Sequence, residues 1–479
     1  MRNRNVEVSR RDLVRFVAGG LLAIPLLAAC GGSAATSGAA TSAGSPASTT
    51  ASGTAANSAA SSADTGSSAG VATKPAGKGA SLQWMVWGDD WSNKVEKEAT
   101  SVWAQANPGS SVEVLNKGGD HFQTLLTMLA GGTPPDASIV DGYNEPEIIT
   151  RGTIVELSPY AQKTGIDKAD YDANQWNENS CGGKLYSFPN MRCYNVVMYY
   201  NKDLFQKAGV AFPTPSWTWD DFVTACQKLT VTQGGQRVQW GTLRTGYWWP
   251  FVWMNGGEMY ANDQLTQVAV DQPAATESLQ WLADLVYKNH VAPTAAEAKA
   301  AGGGNLFFIG KSATEFQWGT DIANVRRAPE TVTFDWDIAP VPSGKNGSIT
   351  VFKGNGAMLF KGGKQIDQAW DLLRTLGSEG SQQVYASYVR QIPMLKKVAQ
   401  SDSFLKSGKK PAHMEYLVNP PKSRNLQLIA EWNRMEKEGW GPGLSKLWAG
   451  QTTAQEAMTQ QKQAMDTIMA GHKSACAGL

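Results

Sequence analysis

The chain has 479 residues, and its 43 lysines and arginines almost balance 42 aspartates and glutamates, for a formal charge of +1. With no basic block there is no electrostatic case for a nucleic-acid partner, and only four histidines argue against a multi-histidine metal site, so no metal and no cofactor are expected. The length suits two or three domains of roughly 100–200 residues. The 18 tryptophans, the first at Trp84, are a heavy load that asks for large flat apolar faces.

The first thirty residues read as an export signal. Arg2, Arg4, Arg10, Arg11 and Arg15 outweigh Glu7 and Asp12, and an apolar run follows over residues 17–29, interrupted by Gly19, Gly20 and Pro25. That run is shorter than the about 20 residues a membrane span needs. Ser9-Arg10-Arg11-Asp12-Leu13-Val14-Arg15 resembles the twin-arginine export consensus. Leu27-Ala28-Ala29-Cys30 before Gly31 resembles a bacterial lipobox, which implies a lipid anchor on Cys30. In residues 31–80, 43 of 50 positions are Ala, Gly, Ser or Thr, too little apolar surface to order a chain. As a flexible coil this tether spans roughly 40 Å. The expected location is the extracytoplasmic face of the cell membrane.

Four cysteines remain, Cys181, Cys193, Cys226 and Cys476, an even number that in an exported chain allows three disulfide pairings. The short spacing of Cys181 and Cys193 around a turn favours that pair, which leaves Cys226–Cys476 as a clamp on the C-terminus. No pair has the spacing of a zinc site.

From residue 81 strands and helices alternate. A strand at 82–87 leads through Gly88-Asp89-Asp90 into a helix at 92–105, stopped by Asn107-Pro108-Gly109. A second strand at 112–115, a helix carrying Phe122, Leu125, Leu126 and Leu129, and a strand at 137–140 follow. The rhythm predicts an α/β fold with a parallel sheet and ligands at the carboxyl ends of its strands. That rule points to Trp87, Asp89 and Asp90 and to Asp141 and Asn144.

Val196-Val197-Met198-Tyr199-Tyr200-Asn201-Lys202-Asp203-Leu204 reads as a buried strand entering a helix, with Trp217-Thr218-Trp219-Asp220-Asp221-Phe222 as a second helix start. Together they resemble the solute-binding proteins of ATP-binding-cassette importers, in the carbohydrate-binding family that includes maltose-binding proteins. Gly310-Lys311-Ser312-Ala313, Pro340-Val341-Pro342 and Ser378-Glu379-Gly380 match in order, so the resemblance covers residues 81–479. It implies a two-lobed type II clamshell with discontinuous lobes, residues 81–193 plus 354–398 and residues 194–353 plus 399–479. It also implies closure about a hinge, a monomeric receptor delivering a sugar or oligosaccharide to a membrane permease, and no catalysis. Glycerol phosphate, a polyamine or an amino sugar are alternative solutes, and an exported carbohydrate-active enzyme is a less favoured alternative.

The resemblance and the residue chemistry nominate a binding set. Aromatic planes pack on the apolar faces of sugar rings while polar neighbours take the hydroxyls. Tyr247-Trp248-Trp249-Pro250-Phe251 is the densest aromatic run, with Trp248 and Trp249 as stacking candidates. Gln317 and Trp318 sit at a strand end, although the family's asparagine–glycine–x–tryptophan order is altered there, and Trp432 falls where maltose-type binders carry a stacking ring. Gly354 and Asn355 offer backbone amides and a side-chain amide. Asn190, Arg192 and Arg390 complete the set, and the two arginines leave an acidic or phosphorylated solute open. Gly310-Lys311-Ser312 mimics a phosphate-binding loop, but the required glycine five positions earlier is Asn305. Neither a nucleophile elbow nor a zinc-protease helix motif occurs.

Overall fold

A computed structural model describes residues 79–472, with backbone alone at 190–194. The signal, the tether, Cys30 and Cys476 lie outside the described residues, as do the side chains of Asn190, Arg192 and Cys193.

The strands are β1 (Ser81–Met85), β2 (Ser111–Leu115), β3 (Ala137–Asp141), β4 (Ser180–Cys181), β5 (Lys184–Leu185), β6 (Phe188–Asn201), β7 (Val231–Gln233), β8 (Gln236–Thr242), β9 (Ser312–Trp318), β10 (Trp336–Ala339), β11 (Thr350–Leu359) and β12 (Ser423–Asn425). The main sheet runs β2-β1-β3-β11-β6-β9-β8-β7, with β10 added on β6 and β12 on β11. The expected βαβαβ start is present, since β1 pairs in parallel with both β2 and β3. β11 then inserts antiparallel between β3 and β6.

The two halves of the sheet share β6. Over its first part this 14-residue strand pairs with β11, and over its last part it pairs with β9 and β10. The register with β11 shifts between Lys353 and Asn355 and again between Asn355 and Ala357, and bulges of this kind bend and twist a strand. The crossing strands are buried throughout β11.

Local chemistry explains the helices that carry the site. Asp89 caps the helix Asp90–Ala106 by accepting from the Ser92 amide, which satisfies an N–H left unpaired at the first turn. Val95, Glu96, Ala99 and Trp103 form its buried face. Glu96 is fully buried there because the Trp84 indole (3.2 Å) and the Tyr385 hydroxyl (2.8 Å) both donate to it. Asn201 caps the helix Lys202–Lys207, and Thr218 with Asp221 forms a reciprocal capping box on Trp219–Leu229. The residues that carried the family resemblance are thus strand, cap and helix start.

Two expectations are corrected. Cys226 is a free thiol, 1% exposed. It faces β8, where Gly241 is so close that an added Cβ would meet Cys226 atoms at 2.3–2.5 Å. The Cys226–Cys476 clamp therefore does not form, and burial raises the thiol's pKa. The tryptophan load is also largely structural: Trp84, Trp103, Trp240, Trp253 and Trp440 are fully buried, and Trp219 stacks on Trp281 at 4.3 Å. Residue 311 ends a turn before β9, with Lys311 Nζ donating to the Ala301 carbonyl, so no phosphate loop exists there.

Candidate functional site

The loop after β3 reaches across to the helices of the other half-sheet. Its Tyr143 ring lies stacked on Trp432, with centroids 5.4 Å apart and planes 23° apart, and tilted against Trp249 at 6.2 Å. Offset stacks of this kind contribute about 0.5–1.5 kcal/mol beyond area burial. The Lys353 ammonium sits 4.2 Å from the Tyr143 centroid, a cation–π contact in a poorly hydrated place. Beside the stack, Asn433 Nδ2 donates to Asn144 Oδ1 at 2.8 Å.

Lys353 is the polar node. Its side chain is 3% exposed, pairs with Asp141 at 2.9 Å and donates to Asn355 Oδ1 at 3.0 Å. Asn355 in turn accepts from the Gly142 amide at 3.1 Å. A Cβ on Gly142 would stand 2.5 Å from the Gly354 carbonyl, so this close approach of β3 and β11 requires glycine. Two further carboxylates lie behind the node. Glu178 accepts from the Gly354 amide at 2.7 Å, and Glu145 accepts from Ser187 Oγ at 2.9 Å. Burial pushes Glu145 up to about 8, with the Glu178 charge adding to it. Burial likewise takes Glu178 up to about 7, restrained by Lys353 and by the Gly354 amide.

On the far side of the stack, Tyr247 extends it. Its ring lies 6.0 Å from Trp249 and 4.7 Å from Trp318, and its hydroxyl donates to Gln317 Oε1. The Trp249 indole N–H is buried without an acceptor among the described residues. A donor in that condition costs free energy until something accepts from it, which makes it a candidate to meet a bound polar group.

A second group forms around Trp91. Asp89 accepts from Ser92 and pairs with Arg327 at 2.7 Å, and the Arg327 guanidinium lies 4.2 Å over the Trp91 ring. Those hydrogen bonds and the arginine hold the Asp89 carboxyl below its usual value against the opposing effect of burial. Arg390 reaches the Trp87 carbonyl at 3.4 Å and the Trp91 ring at 5.8 Å. Trp87 packs edge-on to His121.

The structure therefore brings Asp141, Asn144, Trp249, Gln317, Trp318 and Trp432 into one aromatic and polar patch, and gathers Trp87, Asp89 and Arg390 in another. Asp90 is exposed at the first turn of its helix. Trp248 is 3% exposed and packs on Trp440; Trp249 and Trp432 are as deeply buried, at 6% and 3%, but both meet the Tyr143 ring, with which Trp248 makes no ring contact among the described residues. Gly354 and Asn355 also differ from expectation: the Gly354 amide is taken by Glu178, and Asn355 is fully buried, joining β11 to the loop after β3. Tyr143, Tyr247 and Lys353 lie in the first of these patches although only their neighbours were singled out. Each lies inside a segment already marked by its motif. Arg327 and Trp91 carry no comparable local signal, since only the fold pairs them.

An open α/β sheet whose crossing strands serve two halves, with an aromatic and polar patch built by residues from both, defines a two-lobed clamshell solute receptor. Residues 86–383 match the model of the bacterial extracellular solute-binding proteins, and the chain belongs to that family. An ABC substrate-binding protein of Listeria monocytogenes, solved in complex with cycloalternan, superposes with a TM-score of 0.73 at 23% identity, over 82% of this chain and 99% of that one. The arabinooligosaccharide-binding protein of Bacillus subtilis is 26% identical over 218 residues, 43% of this chain and 46% of that protein. A binding protein of Brucella abortus is 23% identical over 303 residues, 62% of this chain and 68% of that protein. Among the described residues no helix is long and apolar enough to cross a membrane.

Proposed function

We propose that the protein is a lipid-anchored extracytoplasmic receptor that binds a sugar or oligosaccharide between its lobes and delivers it to an ABC importer. The observation that carries this reading is the continuous run of aromatic faces Trp318–Tyr247–Trp249–Tyr143–Trp432, bordered by Asp141, Asn144, Gln317 and Lys353. Aromatic planes match the C–H faces of pyranose rings, and the bordering groups include both donors and acceptors for hydroxyls. The relatives named for arabinooligosaccharide and the neighbour solved with cycloalternan support the same solute class.

The lobes are taken as residues 81–193 plus 354–398 and residues 194–353 plus 399–479, hinged where β6 and β11 cross. Arg192 and Asn190, just before that crossing, remain proposed solute contacts. Cys30 carries the lipid, residues 31–80 tether the receptor above the membrane, and the protein acts as a monomer. Cys181, which is buried and does not stand as a free thiol, pairs with Cys193.

A thermal-shift panel of mono- and oligosaccharides on the purified protein tests the reading. A solute that binds only the folded state stabilises it by RT ln(1 + [L]/Kd), so at least one saccharide raises the melting temperature in a concentration-dependent way. A panel without any such shift overturns it.

A further inference from the structure

A cavity of about 450 Å³ opens beside Trp91, within the range of roughly 300–1,000 Å³ typical of small-molecule sites. Its walls come from both halves of the sheet. Trp91 and Tyr388 stand on helices of the first half, while Arg326 and Arg327 end the helix Ile322–Arg326, Trp336 opens β10, and Lys409 and Lys410 complete the wall.

The charge of this cavity is unbalanced. Lys410 pairs with Asp335 at 2.7 Å, but that carboxylate already holds Lys202 at 2.7 Å. Among the described residues Arg327 is matched by Asp89 alone. Arg326 donates to a neutral acceptor, the Lys410 carbonyl, at 2.6 Å. Lys409 has no ion pair among the described residues. Arg390 lies outside the wall, 5.8 Å from the Trp91 ring, and its Nε–H has no acceptor among the described residues. The nearby Glu98 accepts from the Tyr388 hydroxyl at 2.8 Å, and Asp90 is exposed beside Trp91. The chain beyond residue 30 carries 38 basic and 40 acidic side chains, so this cationic concentration is local.

We propose that this cavity is an anion-recognising subsite, and that the solute is a saccharide bearing a negatively charged substituent, a carboxylate or a phosphate. The proposal rests on the saccharide-receptor reading and narrows it. Trp91 and Tyr388 offer apolar faces to a sugar ring, and guanidinium forks match planar or tetrahedral oxyanions bidentately. Arg327 and Arg390 are held near the Trp91 ring, at 4.2 and 5.8 Å, so their forks are oriented before a ligand arrives.

The test titrates three probes into the purified protein by calorimetry: a galacturonate oligomer, a hexose phosphate, and a neutral galactose oligomer of matched length. The expected result is at least roughly tenfold tighter binding of one charged probe than of the neutral one at low salt. That preference shrinks in 0.5 M salt (about 4 Å of screening length), and it is lost in Lys409→Gln combined with Lys410→Gln, whose neutral-sugar affinity and melting temperature stay near wild type. The favoured charged probe tells carboxylate from phosphate. Equal or tighter binding of the neutral oligomer overturns the subsite while leaving the saccharide receptor standing, as does a charge preference that survives both substitutions. Failure of all three probes together with the whole neutral panel overturns the receptor reading and the subsite with it.

Discussion

Tyr143 lies face to face with Trp432, 5.4 Å between centroids, while Lys353 stands 4.2 Å from the Tyr143 centroid. The ring is held between a tryptophan and an ammonium, and Trp432 is left only 3% exposed. A sugar stacking on Trp432 must therefore move Tyr143 or share the face with it. Tyr143→Ala uncovers the indole, so acrylamide quenching of tryptophan fluorescence increases in the solute-free protein. Saturating solute reverses the increase. Quenching unchanged from wild type would mean that Tyr143 does not cover Trp432 in solution.

Trp248 and Trp249 are neighbours in sequence with different duties. Trp248→Ala removes a core ring packed on Trp440 and lowers unfolding free energy by about 3–5 kcal/mol, with solute affinity nearly retained at temperatures where the protein is folded. Trp249→Ala removes a ring that also touches Tyr143 and Tyr247, and it weakens solute binding as well. Denaturant melts and calorimetry on both variants separate the roles. Equal affinity losses in the two would contradict the assignment.

The buried carboxylates set a pH slope. Unfolded, Glu145 and Glu178 ionise near 4.5; folded, they hold their protons up to about 8 and about 7. Between those values the native state binds more protons than the unfolded chain, so stability falls as pH rises from about 4.5 to about 8. Glu145→Gln with Glu178→Gln flattens that part of the melting-temperature profile. A slope unchanged in the double variant would contradict the raised pKa values.

Thiol chemistry distinguishes the cysteines. Cys226 is buried and free, so the exported protein labels at that position only after denaturation without reductant. Cys181 and Cys193 label only after reduction. Labelling of Cys181 in the denatured, unreduced protein would remove the proposed disulfide.

Much of the scaffold was legible because its signals are local. The capping residues Asp89, Asn201 and Thr218, the apolar spacing of Val95, Ala99 and Trp103, and the glycine-bounded strands each declare one element within a few positions. The rule that places ligands at strand ends pointed to the loop after β3, whose Tyr143 meets Trp249 and Trp432. Which tryptophan faces the site was not legible, because Trp248 and Trp249 share one composition and differ only in the direction each ring takes from the start of its helix. Gly354 and Asn355 suggested solute contacts by residue type, yet Glu178 and the Gly142 amide, both distant in sequence, take their hydrogen-bonding groups. The Asp89–Arg327 and Tyr143–Trp432 contacts join residues hundreds of positions apart, and no periodicity within either segment encodes them.

The central claim is tested most directly by titrating the saccharide that most stabilises the protein into wild type and into Trp432→Ala, by calorimetry. The account predicts one site per chain in the wild type and, in the variant, a loss of a few kcal/mol, roughly a hundredfold in Kd. Undiminished affinity in Trp432→Ala would place the solute elsewhere and contradict the aromatic cleft as the binding site.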